Sequence, residues 1–218
     1  MYNNGYLQGT FLSGLIISFV SYGYVMMNAS ILGAILFAFG LMSIIFYELH
    51  LFTGDAGFVM DEIDNENLFI TLLGNFLGCL IGSLLLSATL NGDAAEFIDK
   101  ALSLREINTW SDIWKVFVKA IGCGLILTIS VKFAREARKE RDMVKILPLL
   151  FGIPLFLMSG FFHCIVDIFY LTCGAIWTDR FYYGVEDAMP SIIGWVIVVI
   201  GNLIGCNLPR IIMRNKKF

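Results

Sequence analysis

Two histidines and three carboxylates stand where the rest of this chain is apolar. His50 lies between Glu48 and Asp55, and His163 lies four residues before Asp167. Imidazole is the side chain that takes up and releases a proton between about pH 5 and 8. On a helix, residues four apart meet on one face, so Asp167 is placed to orient His163. A carboxylate there would also repel an incoming anion, which leaves open a pore for a neutral or cationic solute. The bland readings are a core histidine bonded to backbone for His163, a structural pair with a helix end for Asp167, and a satisfied polar residue at a helix break for His50. Metal or haem chemistry is a third class, a membrane redox protein with histidine ligands. Two histidines with no clustered cysteine or carboxylate make a poor ligand set for it. The five cysteines (Cys79, Cys123, Cys164, Cys173, Cys206) sit inside apolar runs without a CxxC pair and read as small core residues. No cofactor and no metal site is expected.

The elements that must carry these residues are membrane spans. Of the 218 residues 58% are hydrophobic and 15% charged, against roughly 45–50% and about 25% in soluble domains. The net charge of −3 gives no support for nucleic-acid binding. The first residues lack the basic region of a signal peptide, so the first span is expected to direct the chain to the membrane. A crossing helix needs about 20 apolar residues. The pattern predicts six spans: Thr10–Met27, Ser30–Met60, Leu68–Leu90, Ile113–Phe133, Ile146–Trp177 and Ser191–Leu208. The second and fifth are too long for straight helices at 1.5 Å per residue. Breaks are expected near Thr53-Gly54-Asp55 and near Ser159-Gly160. Irregular backbone at membrane depth is tolerated only where it is buried or lines a cavity, so the two breaks point at a pathway. Lys132, Arg135, Arg138, Lys139, Arg141 and Lys145 form one basic cluster, and Arg210, Arg214, Lys216 and Lys217 another. Both can face the cytoplasm, which puts both termini there. The acidic loop Asp61–Glu66 falls on the same side.

The halves also resemble each other. Gly74-Asn75-Phe76-Leu77-Gly78-Cys79 matches Gly201-Asn202-Leu203-Ile204-Gly205-Cys206, and Gly14-Leu15-Ile16-Ile17-Ser18 matches Gly124-Leu125-Ile126-Leu127-Thr128. The second match is an offset of 110 residues (14 to 124), which also carries Thr53 onto His163. Three spans per half require inversion, the architecture of paired broken helices meeting at the midplane. The chain is then one channel domain, residues 1–218, with repeat halves of about 10–90 and 113–210.

His50-Leu51-Phe52-Thr53-Gly54-Asp55 resembles the acidic-Leu-Phe-Thr-small-polar signature of the formate/nitrite transporter family. Ser159-Gly160-Phe161-Phe162-His163-Cys164-Ile165-Val166-Asp167 resembles its Ser-Gly-Phe-x-His-x-x-Ala-Asn signature. Gly74-Asn75-x-x-Gly78 and Ala120-Ile121-Gly122-Cys123 resemble the third and fourth spans. The resemblance implies a homopentamer of aquaporin-like protomers in the cell membrane, each passing small monovalent weak-acid anions such as formate, nitrite or hydrosulfide. It makes the chain a transporter and not an enzyme. It implies His163 as the central pore histidine with Thr53 as partner, Leu51 and Phe156 at an outer constriction, Phe37 and Leu41 at an inner one, and Leu127 on the apolar pore wall. His50, Glu48 and Asp55 are accessory polar candidates. Departures are His50 at the acidic position, Asp55 at the polar end, Phe162 before the histidine, Asp167 for Asn and Gly124 for the Asn after Cys123. No Lys or Arg precedes Lys100, where the family carries a basic N-terminal segment. Gly124 is expected to give the pore extra room near His163. A dry site costs an isolated anion of order 20 kcal/mol in the idealised limit. The mechanism the resemblance implies is therefore that His163 neutralises the anion or passes it a proton.

Overall fold

The computed structural model describes residues 4–58, 65–181 and 184–213, and every element among them is helical. Four helices are long and apolar enough to cross a membrane: α1 (Asn4–Met26), α4 (Asn65–Ser87), α6 (Trp110–Glu140) and α9 (Val185–Ile212). Between them lie α2 (Ile31–Phe46), α3 (Phe52–Asp55), α5 (Gly92–Ser103), α7 (Leu147–Met158) and α8 (Cys164–Trp177). Parts of the acidic segment Asp61–Glu66, the side chain of Lys145 and the basic residues Arg214, Lys216 and Lys217 lie outside the described residues.

The long helices pair as α1 on α4 and α6 on α9, and glycine sets how closely they approach. A Cβ on Gly14 would lie 2.1 Å from the Asn75 carbonyl oxygen, and one on Gly124 would lie 2.4 Å from that of Asn202. Likewise Gly78 faces the Phe11 carbonyl and Gly205 that of Ile121. Small residues that let two backbones touch are the usual device for packing helices where lipid gives no hydrophobic drive. This corrects the expectation for Gly124: the missing side chain is filled by the α9 backbone and opens no space.

Both overlong spans are interrupted. Helix α2 ends at Phe46, and the chain runs irregularly over Tyr47–Leu51 before α3 begins. The first break thus falls a few residues ahead of Thr53, whose residue is already helical. Helix α7 ends at Met158, and Ser159–His163 form the second break, as expected. The two breaks have one conformation. Glu48 (φ 55°) and Gly160 (φ 66°) are left-handed. The next amide in each case reaches back five residues, Leu49 to Ile44 and Phe161 to Phe156. Each break is held by one buried asparagine. Asn75 accepts from the Phe52 amide and donates to the carbonyls of Thr10 and His50. Asn202 accepts from the Cys164 amide and donates to those of Ala120 and Phe162. In each case one of the three bonds satisfies the first amide of the following helix, a donor that a helix N-terminus leaves unpaired, and the other two satisfy carbonyls.

The matched bonds fix a register that differs from the expected one. At the breaks the offset is 112 residues (52 to 164), so His163 corresponds to Leu51 and not to Thr53. Two cysteine contacts agree: Cys79 donates to the Ile165 carbonyl and Cys206 to the Thr53 carbonyl. The short helix α5 lies in what reads as a connecting loop. It packs Ala94, Ile98, Ala101 and Leu102 against the core beside α8.

Candidate functional site

Two vestibules flank the breaks. One, of about 750 Å³, is lined by Leu41, Leu51, His50 and Asp55 with Arg135 and Arg138; it is called the basic vestibule below. The other, of about 320 Å³, is lined by Tyr24, Arg105, Phe156, Phe162, His163 and Tyr170 among others; it is the aromatic vestibule. The start of α1 lies at the basic end, where the Tyr6 ring sits 4.3 Å from that of His50. The end of α9 does too, where Asn207 donates to the Ala56 carbonyl.

His163 is 2% exposed and caps α8. Its Nδ1 accepts from the amides of Ile165 (3.2 Å) and Val166 (3.3 Å). A nitrogen that accepts carries no hydrogen, so the proton is on Nε2, which lies 2.8 Å from Thr53 Oγ1. The ring is a neutral donor aimed at a hydroxyl from the other break. The hydrogen bond between residues 110 apart brings together the pair the sequence singled out, through the meeting of two helix starts and not through repeat equivalence. Phe156 lies 6.1 Å from the imidazole, centroid to centroid.

Asp167 does not orient His163. Its amide bonds the His163 carbonyl as ordinary helix, and its carboxylate Oδ1 takes the Nε of Arg105 at 2.6 Å. The Arg105 guanidinium lies over Phe162 (4.3 Å) and Tyr170 (4.9 Å). Asp55, at the corresponding place in α3, is held the same way. Its Oδ1 takes Arg135 at 2.5 Å, and Arg135 lies 4.4 Å over Phe58. Each vestibule is therefore lined by an arginine that stacks on an aromatic ring and neutralises an aspartate at the fourth position of a helix; Asp55 itself lines the basic vestibule, while Asp167 is buried behind Arg105. Neither arginine was read as a site residue. The sequence places Arg135 only in a basic cluster; α6 runs on to Glu140, and from it Arg135 reaches Asp55. Arg105 stands just past α5, and its loop is pinned by Arg180, which bonds Asp99 at 2.9 Å and also Glu106. Burial opposes the charge of Arg180, and the two carboxylates outweigh this and hold its pKa above the usual arginine value.

The apolar candidates regroup. Leu41 and Leu51 line the basic vestibule together, while Phe37 packs edge-on to Phe156 at 6.3 Å. Of the expected pairs, Leu51 and Phe156 line different vestibules, whereas Phe37 and Leu41 are buried one turn apart on α2. Leu127 is fully buried on α6 and lines neither vestibule. His50 donates from Nδ1 to Asp55 Oδ2 at 3.1 Å, and Glu48 pairs with Arg138. Among the described residues no group of three or more His, Cys, Asp or Glu is placed to hold a metal.

Comparison with known proteins gives two concordant findings. A family description, formate/nitrite transporter, matches residues 3–213. Among solved structures, the fold is similar to a pentameric formate channel with formate bound, with TM-score 0.75 and 17% identity over 96% of this chain and 95% of that one. It is similar too to an FNT family ion channel, with TM-score 0.68 and 16% identity over 94% of this chain and 84% of that one. No match was found among curated proteins.

Proposed function

The chain belongs to the formate/nitrite transporter family, and we propose from that premise that it is a channel for a small monovalent weak-acid anion, such as formate, nitrite or hydrosulfide. As a family member it is a multi-pass membrane transport protein and not an enzyme. The proposed architecture is a single domain of six spans in an inverted three-plus-three repeat, with α2–α3 and α7–α8 as the broken pairs. The matched asparagine bonds and matched left-handed residues support it. A homopentamer in the cell membrane is proposed on the likeness to the pentameric channel, with the basic end and both termini cytoplasmic on the excess of Arg and Lys there.

The observation that carries the anion reading is the buried Nε2–H of His163, bonded to Thr53 between two vestibules that each hold an arginine. The solute would leave the vestibule water, exchange the Thr53 hydroxyl for itself as acceptor of that hydrogen, and pass the apolar zone of Leu41, Leu51, Phe37 and Phe156. An anion in such a zone is costly and its neutral acid is not. Proton transfer through His163 in this conformation would need Nδ1 to give up both amides. Its role in the resting geometry is therefore donation of a hydrogen bond to the solute as charge is neutralised. The same-fold alternative, a pore for a neutral or cationic solute, drew on Asp55 and Asp167. Both are paired with arginines, which removes the bare negative charge it needs. A redox role is disfavoured because both ring nitrogens of His163 are already bonded.

The test is uptake into proteoliposomes of formate, nitrite and hydrosulfide against ammonium and glycerol. The three anions should enter faster than through protein-free membranes; preferential entry of ammonium or glycerol would overturn the reading.

A further inference from the structure

Histidine occurs twice in the chain, once at each break, and the two rings are wired in opposite senses. His163 is capped on Nδ1 and buried. His50 stands one residue before the corresponding cap, with its side chain about one-third exposed (32%) and lining the basic vestibule. Its Nδ1 faces Asp55 Oδ2 at 3.1 Å. A carboxylate only accepts, so Nδ1 carries the hydrogen and the free imidazole presents its lone pair at Nε2. Asp55 is itself fixed through its other oxygen by Arg135, which also bonds the Gly54 carbonyl. The backbone of His50 is tied by Asn75, and its ring lies against Tyr6 from α1. This is a base oriented by a third group, the arrangement that activates an imidazole for proton transfer.

The charged and titratable groups around it are Tyr6 on α1, Glu48 beside it in the break, Asp55 on α3, and Arg135, Arg138 and Lys139 on α6, while α4 faces it with the uncharged Asn75. Arg135 is paired with Asp55 and Arg138 with Glu48, so three cations against two carboxylates leave the space that His50 lines with a net positive charge, which favours an anion there. An acid that crosses the apolar zone neutral must gain its proton on one side and lose it on the other. Near neutral pH free hydronium is too dilute to load it quickly, whereas an imidazole holds a proton in that range.

Resting on the channel reading above, we propose that His50 is the proton-exchanging residue of the basic vestibule, passing a proton at Nε2 between vestibule water and the transported acid. For an outgoing anion the Nε2–H bond of the imidazolium breaks and an O–H or S–H bond forms on the anion, whose electron pair it uses. The ring is left neutral with its Nδ1–H on Asp55, and a buffer acid in the vestibule water gives Nε2 a new proton and stays behind as its conjugate base. Inward movement is the reverse, ending with the proton on the buffer base.

The experiment is exchange of isotopically labelled formate in proteoliposomes at equal pH inside and out, from pH 5 to 8, for wild type, His50→Gln and His50→Arg. Equal pH makes the orientation of the inserted protein immaterial. His50→Gln keeps an N–H for Asp55 but cannot carry the proton. It should lose the pH-dependent limb and slow exchange on the order of 10²-fold, the lower end for a positioned proton donor. His50→Arg supplies fixed charge without exchange and should be equally slow. A wild-type profile in His50→Gln, or wild-type rates in His50→Arg, would overturn the proposal. Absence of formate exchange in the wild type would instead sink the channel reading. Nitrogen-15 histidine NMR of the wild type decides independently of any variant's folding. It should show neutral His50 protonated on Nδ1 and His163 as the Nε2–H tautomer. A His50 ring that is protonated on Nε2 when neutral refutes the assignment.

Discussion

Gly124→Ala is a sharp probe of how the two halves are held. The added Cβ would sit 2.4 Å from the Asn202 carbonyl oxygen and 2.8 Å from the Cys206 amide nitrogen. Ordinary contact begins near 3.4 Å, so α6 and α9 must separate locally by about 1 Å. Neither obstacle is the end of a flexible side chain; both are helix backbone. Overpacking of this kind costs about 1–3 kcal/mol. The displaced residue is also Asn202, which fixes the second break through the Cys164 amide and two carbonyls. Loosening any one of those bonds adds about 1 kcal/mol. Thermal unfolding in detergent, followed by intrinsic fluorescence, should therefore show a clearly lowered midpoint for Gly124→Ala. Gly14→Ala should do the same, since its Cβ would meet the Asn75 carbonyl at 2.1 Å. Gly23→Ala is the control on α1, with nothing within 4 Å, and should leave the midpoint unchanged or raise it. If Gly124→Ala unfolds with the wild type, the close crossing and the correction drawn from it are wrong.

Other outcomes follow from single contacts. Thr53→Val removes the acceptor of the buried His163 Nε2–H and should cost about 1–3 kcal/mol, seen as a lowered unfolding midpoint that Thr53→Ser restores. Asp167→Asn strips the partner from Arg105, whose side chain is 11% exposed, and should cost about 3–5 kcal/mol. Arg105→Met with Asp167→Leu should recover most of it in a double-mutant cycle. Gly160→Ala meets only Lys119 Nζ at 3.9 Å, so its penalty is the left-handed backbone alone, about 1–2 kcal/mol by unfolding.

What could be read from the sequence depended on whether a constraint is local. The overlong spans declare their own breaks, because a straight helix of that length does not fit a bilayer. The Gly-Asn-x-x-Gly segments announce close crossings and a buried amide. The arginine partners were invisible because they arise only on packing: Arg105 is 62 residues from Asp167 and Arg135 is 80 from Asp55. The histidine register was misread because the stretch between first span and break is two residues longer in the second half, so an offset true for Gly14 and Gly124 fails at Leu51 and His163. Gly124 was misread because a missing side chain looks the same in sequence whether it leaves a void or admits a backbone. Helix α5 carries a helical spacing in Ala94, Ile98, Ala101 and Leu102, but at 12 residues it is too short to declare itself as a span.

The central claim, that solute passes beside the His163–Thr53 bond, is tested most directly by labelled formate uptake driven by a pH gradient in proteoliposomes, wild type against His163→Phe. The wild type should take up formate faster as the gradient steepens. His163→Phe should lose most of that uptake and its gradient dependence while keeping the wild-type oligomer size. Equal uptake with the same gradient dependence in both proteins would contradict the account and leave His163 as a helix cap and nothing more.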